Sequence, residues 1–432
     1  MTIAQLYQIY LKHPQICTDT RKITNGCMFF ALKGDNFNGN TFAQQAIAMG
    51  ASYAVIDEAV FNESELCILV DNVLITLQQL ATYHRQQLNI PVIGLTGSNG
   101  KTTTKELINA VLSQKFKTSA TVGNLNNHIG VPLTLLALKP ETQVAIIEMG
   151  ANHQKEIELL SNICQPNFGL ITNVGKAHLE GFGGFEGVKK GKGELYTFLE
   201  NTKATLFINQ DNAHLLEMMG DKKFKQTITY GTNPNNFLYG TLIENNPFLG
   251  IKWQRGGIVS EVKSHLTGSY NFENILVAIA IGLKFGLTVD EINDGIEGYN
   301  PQNNRSQISK TAKNTIICDY YNANPTSMLA AIKNLSELKA DNKVLILGDM
   351  FELGNDAEIE HQTIVLEALQ HNFSQIFFIG ELFCKISQSA KAKFFANTLE
   401  ALNYLKEQPL QNALVLLKGS RGMKLESLLD SL

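Results

Sequence analysis

Ile93-Gly94-Leu95-Thr96-Gly97-Ser98-Asn99-Gly100-Lys101-Thr102-Thr103-Thr104 is the stretch on which the fold turns. Ile90 to Leu95, an apolar run with a proline and β-branched residues, predicts a buried strand ahead of it. Glu106, Leu107, Ile108, Val111 and Leu112 behind it carry a helical stripe. The segment therefore reads as strand, glycine-rich turn and helix start. Unpaired backbone N–H groups and the positive end of the helix dipole favour a phosphate there. Lys101 adds a mobile cation, and Thr102 a hydroxyl of the kind that holds Mg2+. The strict P-loop pattern fails by one position, because counting back from Gly100 lands on Leu95 instead of glycine.

The 432 residues suggest about two to four domains and enough chain for real cores. With 36 basic and 40 acidic residues and no long basic stripe, nucleic acid is not an indicated partner. The six cysteines are scattered, with no CxxC, which fits a reducing compartment better than a disulfide framework or a zinc site. Met1 to Gln8 lacks a basic region followed by an apolar core, so no signal peptide is read. The longest apolar segment, near Ile275 to Leu287, is interrupted by Lys284 and glycine and is too short to span a bilayer. The expectation is a soluble cytoplasmic monomer without transmembrane segments.

Three α/β units follow from the rhythm of the chain. Residues 1–88 alternate strands (Cys27 to Leu32, Tyr53 to Ile56) with helices (Phe42 to Met49, Val73 to Leu88). Between them Lys33 to Asn40 forms a polar loop that either holds a polar ligand or is a solvated hairpin. Residues 89–304 read as repeated strand–helix alternation with a mostly parallel sheet. Val144 to Ile147 ends in Glu148, and Gly169 to Val174 leads to His178, placing polar groups at strand C-termini where open α/β sheets bind ligands. A helix from Gly187 to Leu199, strands near Thr205 to Ile208 and Ile251 to Trp253, and a helix from Asn271 to Phe285 complete this unit. Residues 305–432 resume the rhythm as a Rossmann-like sheet, with strands Thr315 to Cys318, Lys343 to Leu347, Gln375 to Ile379 and Ala413 to Leu417.

Several polar groups are candidates for chemistry. Glu148 either holds Mg2+ near phosphates or caps the next helix. His178 either binds a ligand or is a satisfied polar group; it and Glu148 are expected at equivalent ends of two strands. Lys189-Lys190-Gly191-Lys192-Gly193-Glu194 has the charge pattern of a solvated helical face. Arg305, Asp319 and Lys418-Gly419-Ser420-Arg421-Gly422 lie at strand ends or connections of the third unit, as anion-binding groups or as surface charge.

These residues together resemble the Mur ligases, ATP-dependent amide-forming enzymes of peptidoglycan precursor synthesis. Gly94-x-Thr96-Gly97-Ser98-Asn99-Gly100-Lys101-Thr102 is similar to their ATP loop, including its departure from the strict spacing. Glu148-Met149-Gly150 and Asn173-x-Gly175-x-Ala177-His178 resemble their metal-site motifs, and Gly268-x-Tyr270-Asn271-x-x-Asn274 their adenine-contacting helix start. Arg305 and Asp319 match a phosphate-contacting arginine and a nucleotide-contacting aspartate. One departure is visible: Asn304 stands where the family usually has glycine before the arginine. Four stretches resemble the member that adds D-alanyl-D-alanine to a UDP-N-acetylmuramoyl-tripeptide: Asp19-Thr20-Arg21 with Leu32-Lys33-Gly34, Gly123 to Thr134, Asp319 to Pro325, and Lys418 to Met423.

The resemblance implies a set of roles. Thr96, Gly97, Ser98, Asn99, Gly100, Lys101, Thr102 and Thr103 take the ATP phosphates, with Asn274, Arg305 and Asp319 on the rest of the nucleotide. Thr102, Glu148, His178 and a carbamylated Lys192 hold Mg2+, as two ions. Thr20, Arg21 and Lys33 in the first unit hold the UDP end, and Asn124, Asn126 and Asn127 line the path to the centre. Tyr321, Asn322, Asn324 and Arg421 lie near the dipeptide. Lys101, His178 and Lys192 are the catalytic candidates. Other readings stay open: another Mur ligase, a folylpolyglutamate-type ligase, and a nucleotide-binding protein without turnover.

Overall fold

A computed structural model supplies the architecture and describes residues 1–386 and 389–432. Near the N-terminus a four-stranded parallel sheet runs in the order Ile16–Cys17, Met28–Phe30, Tyr53–Ile56, Cys67–Leu69. Met28, Phe29 and Phe30 are all buried because helices cover both faces of the sheet. The polar loop at Lys33 to Asn40 folds as a small hairpin, pairing Lys33–Gly34 with Phe37–Asn38. Helix Val73–Gln87, capped by Asn72 Oδ1, carries this sheet onto the rest of the chain. The Tyr7 hydroxyl meets His84 Nδ1 at 3.1 Å, and that of Tyr10 donates to Leu136 O at 2.7 Å. Arg85 is buried and donates to Cys164 O, Leu88 O, Gln165 O and Asn167 Oδ1 at 2.8–3.2 Å. A buried guanidinium persists there because oxygens meet its fork.

The central sheet has nine strands, in the order Ile258–Lys263, Leu249–Arg255, Leu238–Asn245, Gln226–Gly231, Thr205–Asn209, Phe168–Ile171, Val92–Thr96, Val144–Glu148, Thr118–Ala120. Strand Val92–Thr96 is buried throughout and runs parallel to both neighbours, with Leu95 beside Glu148 and Thr96 beside Ile171. The chain leaves this strand for Thr118–Ala120 and then Val144–Glu148 on one side and later returns at Phe168–Ile171 on the other. Such a reversal opens a crevice at the strand C-termini.

The second half of this unit departs from the expected strand–helix alternation. Leu238–Asn245, Leu249–Arg255 and Ile258–Lys263 form an antiparallel meander. The turn Gly256-Gly257 has φ of +55° and +86°, which two glycines adopt without strain and which matches the twist of a tight hairpin.

The C-terminal sheet has six strands: Gln307–Lys310, Thr315–Asp319, Leu414–Lys418, Lys343–Gly348, Gln375–Ile379, Lys393–Phe395. Only the first is antiparallel to its neighbour. Helices Pro325–Glu337, Ala357–Leu369 and Thr398–Glu407 connect the strands, as in a Rossmann-like layer. The fold is thus α/β, with three larger sheets and one two-stranded hairpin among the described residues. Among the described residues no helix is long and apolar enough to cross a membrane.

The C-terminal sheet docks against the central one through polar contacts. Lys176 Nζ pairs with the buried Glu360 Oε1, the Lys176 N–H donates to Thr326 Oγ1 at 3.0 Å, and Asn324 Nδ2 donates to Asn99 Oδ1 at 2.7 Å. Arg85→Met keeps the apolar stem but strips four oxygens of their donor. It should cost about 2–4 kcal/mol of stability in urea unfolding. A loss under about 0.5 kcal/mol would show that the brace is idle.

Candidate functional site

A cleft of about 680 Å³ opens where the central and C-terminal sheets meet. Ser98, Asn99, Gly100, Lys101, Thr102 and Thr103 form one wall. Asn124, Asn126, Asn127, Glu148, His178, Asn274, Arg305, Asp319, Tyr321, Asn322 and Asn324 line the rest of the cleft.

The loop begins at Gly97, whose φ is +148°, and ends at Gly100, whose φ is +78°, directly before helix Lys101–Leu112. A Cβ at Gly97 would stand 2.0 Å from Thr172 Oγ1, and one at Gly100 2.8 Å from Asn274 Oδ1. Only glycine fits both places. The hydroxyl of Thr172 donates to Asn99 O at 2.6 Å, and the Asn99 N–H donates to Asn173 Oδ1 at 3.0 Å. Ser98 Oγ accepts from the Gly175 N–H at 2.9 Å. Lys101 curls over its own loop and donates to Gly97 O at 2.7 Å and Ser98 O at 3.2 Å. Desolvation pulls its pKa down to about 8; Glu148 opposes that shift and Arg305 adds to it.

Asn274 lines the cleft and also has a bracing part. It accepts from Thr104 Oγ1 at 3.0 Å and donates to Asn271 Oδ1 at 2.9 Å, so it braces the helix beneath the loop. Thr96, the last residue of the central strand, is buried below the loop and its hydroxyl has no hydrogen-bond partner.

Glu148 ends its strand and caps no helix, since the next one starts at Glu156. Asn126 Nδ2 donates to its Oε1 at 2.8 Å, while the buried Oε2 has no partner. An acceptor left open on a cavity wall fits a cation. His178 is not at an equivalent strand end. It lies in a loop beyond Ile171, with φ of +53°, directly before a short helix. Its Nδ1 meets Glu352 Oε2 from the C-terminal sheet. This hydrogen bond lowers the pKa of Glu352 despite its partial burial. Among the described residues no three His, Cys, Asp or Glu side chains converge on one point. A Mg2+ here would draw on few protein ligands, as that ion does when phosphates and water supply the rest.

The lysine run is not a solvated face. Lys192 is 1% exposed, donates to Ala151 O at 3.0 Å and lies 5.0 Å from the centre of the Phe182 ring. Burial, followed by the charge of Lys101, pushes its pKa well below the ordinary lysine value, with Glu156 and Glu194 pulling the other way. Lys189 is also buried, whereas Lys190 remains exposed. The helix turns two of the three lysines inward, which the count of charges could not reveal.

On the far wall the Arg305 guanidinium lies 3.9 Å from the centre of the Tyr321 ring, and that of Arg421 5.3 Å from it. The buried Nε of Arg305 has no partner. Asp319 and Lys418 end adjacent strands and pair at 2.7 Å. Asn304 adopts φ of +55°, so it fills the left-handed position that favours glycine, with its Oδ1 accepting from the Tyr320 hydroxyl at 3.1 Å. Asparagine tolerates this conformation better than other side chains.

Thr20, Arg21 and Lys33 do not join the cleft. Arg21 pairs with Asp19, and Lys33 with Asp57 and Glu58. Arg421 approaches Tyr321 without lining the cavity, and Lys192 reaches the wall only through Ala151. Glu273, Ser306, Glu156 and Glu352 line the cleft and were not singled out from sequence. Glu273 carried a signal, sitting inside the Asn271-x-x-Asn274 motif; Glu352 had none that local pattern could show.

Family models for the three Mur ligase parts match in chain order. The Mur ligase family catalytic domain matches residues 14–93, the middle domain 95–282 and the glutamate ligase domain 304–421. The chain belongs to the Mur ligase family.

A UDP-N-acetylmuramoyl-tripeptide–D-alanyl-D-alanine ligase of Bacillus subtilis (strain 168) is 35% identical, covering 100% of this chain and 97% of the relative. The crystal structure of MurF from Acinetobacter baumannii superposes with a TM-score of 0.88 at 32% identity, over 99% of this chain and 98% of that one. A folylpolyglutamate synthase of Mycobacterium tuberculosis shares the fold alone, with a TM-score of 0.64 at 14% identity, over 83% of this chain and 94% of that one.

In this Mur ligase the loop has no room for a side chain at Gly97. Gly97→Ala should lower stability by about 1–3 kcal/mol, as a positive-φ position also forced against Thr172. Thermal unfolding checks this; an unchanged midpoint would mean that the loop yields freely.

Proposed function

We infer that the chain is an ATP-dependent ligase that joins D-alanyl-D-alanine to UDP-N-acetylmuramoyl-tripeptide. The products are UDP-N-acetylmuramoyl-pentapeptide, ADP and phosphate. The observation that carries this reading is the pairing of two features in one cleft. One is the phosphate-type loop, with Lys101 at its mouth. The other is the buried, partnerless acceptor Glu148 Oε2 facing it from the neighbouring strand. Identity with the tripeptide–dipeptide ligases along the whole chain supports the substrate pair.

The chemistry needs little covalent help from the protein. The tripeptide's terminal carboxylate attacks the γ-phosphorus of ATP, the bond to the bridging oxygen breaks and ADP leaves. The dipeptide amine then attacks the resulting acyl phosphate. The tetrahedral intermediate expels phosphate, and the nitrogen loses its proton as the amide forms. Both steps concentrate negative charge, so fixed cations and N–H donors lower the barriers. Gly100 to Thr103, at the helix start, supply the donors and Lys101 the cation. Thr102 and Glu148 are the candidate holders of one Mg2+, and His178 with Lys192 of a second. When bound, Mg2+ neutralises phosphate charge and orients the transferred group. Glu352 fixes the ring of His178 from across the cleft.

Lys192 fits its implied modification. Its depressed pKa favours the neutral amine, the form that reacts with CO2, and carbamylation would turn that amine into a carboxylate-like ligand. Arg305 and Arg421, close to Tyr321, suit the free carboxylate of the dipeptide or a phosphate. Thr20, Arg21 and Lys33 are assigned to the UDP end, which lies far enough from the reacting carboxylate to need its own unit. Residues 1–88, 89–304 and 305–432 accordingly take UDP-substrate, ATP and dipeptide. Cytoplasmic, monomeric action fits such small soluble substrates.

ADP release should require D-alanyl-D-alanine together with the tripeptide substrate, with alanine or glutamate inactive. Turnover with another amino acid alone would overturn the assignment. Lys101→Ala should cut kcat by about 100-fold or more with the fold intact. Nucleotide binding should also weaken as pH rises through about 8, where Lys101 loses its proton. Isothermal calorimetry above and below that pH reads the effect, and a flat profile would remove the ammonium from the phosphate site. A 13C carbamate resonance from labelled CO2, present in the native protein and absent in Lys192→Ala, tests the modification.

A further inference from the structure

On the cleft wall beside the phosphate loop stands a carboxylate that the reaction scheme leaves unused. Glu273 is the second residue of helix Phe272–Lys284, next to the brace Asn274. Its Oε1 accepts from Asn173 Nδ2 at 3.3 Å, and its Oε2 accepts from Asn209 Nδ2 at 2.8 Å.

Asn173 is the side chain that holds the loop. Its Oδ1 takes the Asn99 N–H at 3.0 Å, its Nδ2 also donates to Asn99 O at 3.2 Å, and its backbone oxygen takes the Ser98 N–H at 2.9 Å. An amide has an accepting end and a donating end, and its neighbours decide which way it faces. For Oδ1 to meet Asn99, Nδ2 must find acceptors on the other side. Asn209 is oriented likewise: its Oδ1 accepts from the Asp211 N–H at 3.0 Å, so its Nδ2 faces Glu273. Two donating NH2 groups therefore converge on one side chain. Only a group that accepts at both oxygens satisfies them.

We propose that Glu273 is a positioning residue for the phosphate loop: as a carboxylate it locks the Asn173 amide, and through it the backbone of Asn99, in the geometry that receives nucleotide. The inference rests on the reading that this loop binds nucleotide.

The charge state of Glu273 is poised near neutrality. Burial pushes its pKa up to about 7, Asn173 and Asn209 pull it down, and Asp211 raises it. The other titratable group facing it is the buried hydroxyl of Tyr230, whose own proton is held more tightly by this carboxylate. Once protonated, Glu273 offers an O–H to two side chains that also donate. One of the two donors then loses a charged acceptor, and the hold on the Asn173 amide loosens. Loop order, and with it nucleotide affinity, should fall as pH falls through about 7.

The test is ADP binding without Mg2+, by calorimetry, to native protein and to Glu273→Gln. The glutamine presents an NH2 to one of the two amides at every pH. At pH 8 the variant should bind roughly tenfold more weakly than native. At pH 6 the gap should close, because native Glu273 is then mostly protonated. Comparing the two proteins cancels the titration of ADP itself. Equal binding at pH 8, or a gap that stays constant with pH, overturns the proposal. If native protein binds no ADP at either pH, the nucleotide reading of the loop fails and this inference with it. Independently of any variant folding, the side-chain 15N resonance of Asn173 in native protein should shift with a midpoint near pH 7. A resonance unmoved between pH 6 and 8 overturns the proposal too.

Discussion

The cleft depends on one constraint, the backbone conformation of Gly97 to Gly100. Four residues must turn a buried strand into a helix, with the Ser98 and Asn99 N–H groups pinned to Asn173 and the helix-start N–H groups left open toward the cleft. Such a turn has no hydrogen-bond ladder of its own, so neighbours must hold it. Thr172 and Asn173 do so from just beyond the adjacent strand, and Asn324 from the C-terminal unit. Every one of these contacts is polar and directional. The loop is therefore shaped by hydrogen-bond geometry, with apolar packing confined to the strand and helix that flank it.

The segment from Asn173 to His178 joins that loop to the other side of the cleft. One edge of it meets Ser98 and Asn99, and the other meets Thr326, Glu352 and Glu360. The position of the C-terminal sheet is thus written into the same few residues that carry the loop. His178 is the clearest case: it belongs to the central sheet but takes its partner from the C-terminal one. A site divided in this way is complete only when the two sheets are docked, which suits a reaction whose acyl phosphate must be kept from water.

Much of the fold was legible in local pattern. The strands around Val92, Val144, Phe168, Thr315, Lys343, Gln375 and Leu414 are short apolar runs, and parallel strands covered on both faces leave that signature. The meander from Leu238 to Lys263 was not, although Gly256-Gly257 marks its last turn. Its strands are half exposed, so their apolar content is diluted. For the site, Glu148 could be named because it ends an apolar strand, and Lys101 and Thr102 because they open a helix after a glycine-rich turn, both being positions that sequence marks. His178 follows its strand by several residues, and its surroundings could not be named. The lysine run was misread because charge predicts exposure, whereas Lys192 is held inside by Ala151 O and the ring of Phe182.

The sequence by itself determined the strand–turn–helix at Ile93 to Thr104 and the alternation of elements. It also carried the family resemblance, because these depend on residues a few positions apart. The tertiary structure alone decided which side chains share a space. It placed Glu148 Oε2 without a partner, buried Lys192, set Glu352 against His178, and turned two asparagine amides onto Glu273. Each of those facts depends on groups far apart in the chain. Protonation and amide orientation follow the field and the donors met in space, which no local pattern encodes.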